Sequence, residues 1–149
     1  MKYAVERIKP KAVIHLGDFF DDALTLSELY PGLEFHQVPG NCDKYRLHGI
    51  HPETLCYHIC GVKFFMAHGH NYHVKIGLYS LLRDAGAVNA DAVLFGHTHE
   101  AYCQREPSGM WVLNPGPCGS YSGSVGMIEV SDNVITSCRV LRQEDLEVL

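Results

Sequence analysis

Four times along this chain an apolar run stops at a small polar loop carrying a side chain able to bind a metal. The loops are Gly17-Asp18, Gly40-Asn41-Cys42-Asp43, His68-Gly69-His70 and Gly96-His97-Thr98-His99. Buried strands read as short, nearly continuous apolar runs, and the C-terminal ends of strands gather functional groups along one edge of an α/β sheet. Gly-Asp and Gly-Asn taken singly are ordinary turn chemistry, and a single loop histidine says little. Gly-His-Thr-His after a buried strand is more specific, because two imidazoles one residue apart can address two ions, or one ion and a substrate. All four loops in succession point to a metal site. Carboxylate, amide oxygen and imidazole together suit Mn²⁺, Fe²⁺ or Zn²⁺ and require no sulfur.

The rest of the chain falls into place around these loops. Residues 3–9 are expected to end a helix at Pro10, and Ala12–Leu16 to form a strand. Residues 21–30 are expected to form a helix with Ala23, Leu24, Leu26 and Leu29 apolar, and Glu34–Val38 a second strand. Thr54–Cys60 and Val62–Ala67 read as a hairpin turning at Gly61. Residues 73–86 read as a helix burying Val74, Leu78, Leu81 and Leu82 and opened by His73. Ala92–Phe95 is a further buried strand. Residues 101–106, 110–113, 125–130 and 133–141 read as successive strands with turns at Pro107-Ser108-Gly109 and Asp132-Asn133. Early strand–helix units followed by a strand-rich second half predict an α/β chain with helices packed around mixed sheets.

Composition removes several classes of function. The 149 residues carry 12 Lys+Arg against 17 Asp+Glu, a net charge of −5, and no basic stripe, so a nucleic-acid partner is not expected. No apolar run approaches the ~20 residues of a membrane span and the start is not a signal peptide, which predicts a cytoplasmic protein without a membrane partner. Six cysteines are scattered with no Cys-x-x-Cys, and they read as mostly buried thiols in a reducing compartment. Of the ten histidines, His36, His48, His51 and His58 read as surface or satisfied strand histidines, and Trp111 as packing.

The series Gly17-Asp18, Gly40-Asn41, His68-Gly69 and Gly96-His97-x-His99 resembles that of the calcineurin-like metallophosphoesterases. Gly40-Asn41-Cys42-Asp43, Ala67-His68-Gly69-His70 and Asn114-Pro115-Gly116 are similar to the YfcE-type phosphodiesterases within them. The resemblance implies a two-sheet β-sandwich flanked by helices, four layers α/β/β/α, with a two-metal site on one edge. It implies that Asp18 bridges two divalent ions (Mn, alternatively Fe, Ni or Zn), that Asn41, His68 and His97 complete the second ion's shell, and that His99 reaches the first. Asn41 and His70 would meet the substrate phosphate. The implied reaction is in-line attack of a metal-activated hydroxide on a small phosphoester.

The chain departs from that pattern at its start. The family's Asp-x-His motif at the tip of a first strand is absent, so residues 1–149 are expected to form one metallophosphoesterase-like domain shortened at the N-terminus. One metal site is then complete and the other is left with Asp18 and His99 unless His15, His70 or another chain contributes, and weak or absent hydrolysis is expected. Cys42 stands where much of the superfamily has a histidine acting as general acid, and Pro117-Cys118 follows Asn-Pro-Gly where serine is common. Two readings stay open. One is a metal-dependent phosphodiesterase; the other is a degenerate member acting as a binding or scaffold module. An open sheet edge favours a homo-oligomer in either case.

Overall fold

The computed structural model describes residues 1–43, 50–119 and 123–149; His48 lies outside them. Its centre is a five-stranded sheet in the order β3-β4-β5-β7-β6. The strands are β3 (Thr54–Ile59), β4 (Val62–Ala67), β5 (Ala92–Leu94), β6 (Tyr102–Arg105) and β7 (Trp111–Asn114). β4, β5 and β7 run parallel, with β3 and β6 antiparallel at the two edges.

Alternation along the central strands explains why their sequences are apolar except for Lys63 and Asn114 near strand ends. Phe65, Ala67, Val93, Phe95 and Val112 face one side, where they pack with Val74 and with Leu81 and Ala85 of the helix Tyr79–Ala87. Phe64, Met66, Ala92, Leu94 and Leu113 face the other side, against a second β layer. Both faces are dry, so both register positions favour apolar residues.

The second layer consists of two separate ribbons. β1 (Ala12–His15) pairs in parallel with β2 (Glu34–Gln37), and β8 (Ser124–Ser131) pairs antiparallel with β9 (Val134–Arg142). Ala12, Ile14, Leu16 and Val38 from the first ribbon, and Ile128, Val130, Ile135, Cys138 and Val140 from the second, join one core with the five-stranded sheet. No ladder joins the ribbons among the described residues. Asp132 and Asn133 take φ of 51° and 62°, the left-handed pair of a tight hairpin turn.

Helices close the outside. α1 (Lys2–Ile8) and α4 (Gln143–Glu147) cover the outer face of β8–β9 through Ala4, Ile8, Leu141 and Leu146 with Val125 and Met127. α2 (Phe20–Leu29) buries Phe20, Ala23 and Leu26, and α3 (Tyr79–Ala87) lies on the far side. The layers are therefore helix, sheet, sheet, helix, as the resemblance implies. Among the described residues no helix is long and apolar enough to cross a membrane.

Several expectations need correction. The helix expected at 73–86 begins only at Tyr79; His73 has φ 53° and ends a 3₁₀ turn at His70–Tyr72 instead of opening a helix. Val74 is still buried because Gly69 O accepts its N–H and sets it into the core. Leu24 and Leu29 point outward from α2. The cysteines are not mostly buried: Cys42, Cys56, Cys60 and Cys118 are exposed, and Cys103 and Cys138 are half-buried. β3 is an edge strand, which puts Cys56 on an open surface, and Cys60 sits in the turn that follows.

Candidate metal centre

The four polar loops meet at the tips of β1, β2, β4 and β5. His68 is the hinge of the cluster and only 3% exposed. Its Nδ1–H donates to Leu16 O at 2.7 Å, because a carbonyl can only accept. That bond fixes the tautomer and leaves a lone pair on Nε2. Nε2 nevertheless faces two further acceptors, Asn41 Oδ1 at 3.0 Å and Asp18 Oδ2 at 3.5 Å. A cation placed between these three acceptors, or a second proton on the imidazole, would satisfy them. A ring whose other N–H is anchored on a backbone carbonyl is also the usual arrangement of a metal-binding histidine. Residue type and placement therefore fit a divalent ion at Asp18, Asn41 and His68.

The loops are held in place by bonds that leave these donors free. Cys42 N–H donates to Asp18 Oδ1 at 2.9 Å, so only Oδ2 turns to the cluster. Asp43 straps two loops together, Oδ1 accepting from Phe20 N–H at 3.0 Å and Oδ2 from Gly40 N–H at 2.8 Å. Gly40 is required by packing, since a Cβ there would fall on the Asp18 carboxylate. Asp18, Phe19, His97 and His99 all have left-handed φ between 57° and 68°. Each costs on the order of 1 kcal/mol for a non-glycine residue. Such strain gathers at sites where backbone direction matters more than stability.

Electrostatics agree with this placement. Burial alone would push the Asp18 carboxyl up, but the Cys42 N–H and the nearby His68 outweigh it and hold it below the usual range. Burial lowers His97, and His68, Lys75 and His70 push it further the same way, so its imidazole is kept neutral. The thiol of Cys42 is raised, first by its hydrogen bond to Asp18.

The expected residues are not equally gathered. His97 lies ring to ring with His68 at 5.0 Å, and His70 lies 5.3 Å from His68 and 6.1 Å from His97. His99 is exposed at the end of the turn with no hydrogen bond or ion pair among the described residues. Within those residues no three His, Cys, Asp or Glu side chains stand close enough to form a closed coordination group. The assembled trio depends on the amide of Asn41. His15, at the tip of β1, has a buried Nδ1 without a hydrogen-bond partner, and burial lowers its pKa against the pull of Asp43, Asp22 and Asp18.

Two residues that the sequence motifs contain, but to which sequence reasoning gave no role, position the site. One is Asp43, described above. The other is Asn114, 1% exposed at the end of β7. Its Nδ2 donates to Gly96 O at 3.1 Å and Thr98 Oγ1 at 2.9 Å, and its Oδ1 accepts from Gly116 N–H at 2.9 Å. It thereby fixes the turn that carries His97. A polar residue closing an apolar strand just before Pro-Gly was the available signal. His36 pairs with Glu34 at 2.7 Å and His58 is exposed, as the sequence predicts for them, while His51 is half-buried outside the strands and packs on Phe20.

A layered α/β sandwich with carboxylate, amide and imidazole donors collected on one edge defines a class of metal-site folds. Residues 1–133 match the calcineurin-like phosphoesterase superfamily domain, and the chain belongs to that family. It is 31% identical to phosphodiesterase MJ0936 of Methanocaldococcus jannaschii, over 82% of this chain and 76% of the relative. It is also 31% identical to the probable metallophosphoesterase YsnB of Bacillus subtilis, over 70% of this chain and 57% of that one. Among solved structures, zinc-complexed Vps29 from Entamoeba histolytica superposes with TM-score 0.73 at 21% identity, covering 95% of this chain and 84% of its own.

Proposed function

We propose that this chain is a metal-dependent phosphoesterase of the phosphodiesterase type, acting on small phosphoesters. The observation that carries the reading is the convergence of Asp18 Oδ2, Asn41 Oδ1 and His68 Nε2 without a donor between them. Asp18, Asn41, His68 and His97 would hold one divalent ion, manganese by preference and otherwise iron, nickel or zinc. Such an ion supplies Lewis acidity toward a phosphoryl oxygen and makes a water more acidic. The chain's own part is positional. Asp18 stays ionised, His97 stays neutral, and His68 is held in one tautomer by Leu16 O. Asn41 and His70 border the place where a phosphate would sit, and among the described residues Asn41 Nδ2 has only the weak Cys42 Sγ at 3.7 Å as partner. The cysteine is a poor proton donor to a leaving group beside ionised Asp18, so good leaving groups should be favoured.

A second reading, a binding module with little turnover, is supported by His99, which is exposed and makes no hydrogen bond or ion pair among the described residues. The edges of the β1–β2 and β8–β9 ribbons, which no ladder joins among the described residues, are proposed as the self-association surface, and a monodisperse monomer in sedimentation would remove that part. A cytoplasmic protein without nucleic-acid partners is the matching cellular reading.

The decisive experiment measures bound metal and bis-p-nitrophenyl phosphate hydrolysis with and without added Mn²⁺. Manganese-dependent turnover that disappears in Asp18→Ala and His97→Ala supports the enzyme. One bound ion without turnover supports the module, and no bound ion removes the metal-site reading altogether.

A further inference from the structure

The five-stranded sheet and the β8–β9 ribbon are pressed together by side chains alone, and at one place the contact is sulfur on sulfur. Cys103 lies on β6, the edge strand beside β7, and Cys138 lies on β9 in the facing layer. Both belong to the core between the layers. Cys103 Sγ is 3.5 Å from Cys138 Sγ, and it donates its S–H to Cys138 O at 3.2 Å. The two are separated by 35 residues of chain. The other described cysteines, Cys42, Cys56, Cys60 and Cys118, are exposed and none is paired with another.

We propose that Cys103 and Cys138 are a modification site: an oxidisable dithiol whose disulfide staples the edge of the five-stranded sheet to the β8–β9 ribbon. A disulfide needs its sulfurs at about 2.05 Å. The present separation closes by rotation of two half-buried side chains, with the strands already seated against each other. The oxidant is a small-molecule disulfide. One cysteine thiolate attacks a sulfur of that disulfide and forms a mixed disulfide, releasing one small thiol. The second cysteine thiolate attacks the protein sulfur of that mixed disulfide and releases the second small thiol. Two protein thiols are oxidised, one small disulfide is reduced to two thiols, and the two protein protons leave to solvent or to the released thiolates.

The surroundings set the pace of the exchange. The thiol of Cys138 is pushed up to about 12, first by burial and then by the neighbouring sulfur. Burial disfavours the thiolate and slows the opening attack, and whichever cysteine remains resolves the mixed disulfide. Closing a loop of this length restricts the unfolded chain, so the oxidised protein should unfold at a higher temperature than the reduced one.

The test uses the full chain with Cys42, Cys56, Cys60 and Cys118 changed to serine, so that only the pair remains, alongside the unmodified chain. Both are incubated with graded ratios of oxidised to reduced glutathione. The expected result is an intact mass lower by two hydrogens, a tryptic fragment joining the Cys103 and Cys138 peptides in both proteins, and a thermal midpoint raised by several degrees that falls back on reduction. Stable glutathione adducts without internal linkage, or linkage of Cys103 or Cys138 mainly to other cysteines in the unmodified chain, would overturn the proposal. So would a linked protein whose midpoint is unchanged or lowered, because the staple would then be strained and not built in.

Discussion

The two ends of the site edge are constructed differently. Around Asp18, Asn41 and His68, each donor is fixed by a bond that comes from a different loop: Cys42 N–H holds Asp18, Leu16 O holds His68, and Asp43 ties the Gly40 loop to the start of α2. Around His97 and His99 the turn itself is fixed, by Gly96 N–H to His68 O at 2.9 Å and by Asn114, but the imidazoles are held by no hydrogen bond among the described residues. In one half of the edge the donors are held, and in the other only the backbone that carries them. A site of this kind should bind an ion through its first half and adjust the second to it.

Substitutions can break that comparison in order of size. Asp18→Ala and His68→Ala remove donors of the preorganised half, and manganese affinity by calorimetry should fall by more than the about 10–100-fold typical of losing an outer partner. Equal affinity in either variant would mean that the ion sits elsewhere. Asp43→Ala leaves Phe20 and Gly40 N–H groups unpaired, so denaturant unfolding should show a loss of about 1–3 kcal/mol, with metal affinity reduced about 10-fold or more as the two loops separate.

Asn114→Ala should cost a similar amount of stability, about 1–3 kcal/mol, but weaken the ion less than Asp43→Ala, since it serves only the His97 turn. His99→Ala should change stability by less than about 0.5 kcal/mol, as for other surface positions, and leave metal affinity nearly unchanged. A large loss there would show that His99 swings in when the site is loaded.

Acid titration sharpens the same contrast. Asp18 and His97 both have lowered pKa values in the fold. For each, the unfolded chain binds the proton more readily than the native one, so stability rises with pH between the folded value and the ordinary one. For His97 that window lies below about 6.5, and for Asp18 below about 3.9. Their contributions are fully present at neutral pH and are lost on acidification, His97 first. Metal affinity should accordingly be flat from pH 8 to about 6.5 and fall below it, and a rise on acidification would contradict this assignment.

The sequence made the strands legible because β4, β5 and β7 are buried on both faces and are apolar except for Lys63 and Asn114 near their ends. The loops were legible because glycine and metal-competent residues recur at strand ends. What stayed hidden depends on direction more than on type. Val74 and Leu78 match helical spacing, yet the left-handed His73 delays the helix to Tyr79. Gly-His-Thr-His cannot say which imidazole turns inward. Cysteine is among the most often buried residues, but Cys56 stands exposed on the edge strand β3. α4, five residues long, is too short to leave a periodic pattern.

Arg7 of α1 donates Nε–H to Leu146 O at 2.9 Å and a second N–H to Glu147 O at 3.3 Å, across 139 and 140 positions of chain. The polypeptide thus comes back almost to its own starting point on the outer face of β8–β9. Any two segments joined to its opposite ends would emerge as neighbours. They would meet at an effective concentration on the order of millimolar if the joints were short and flexible. The domain would then act as a clasp, holding together two attachments that are remote in sequence.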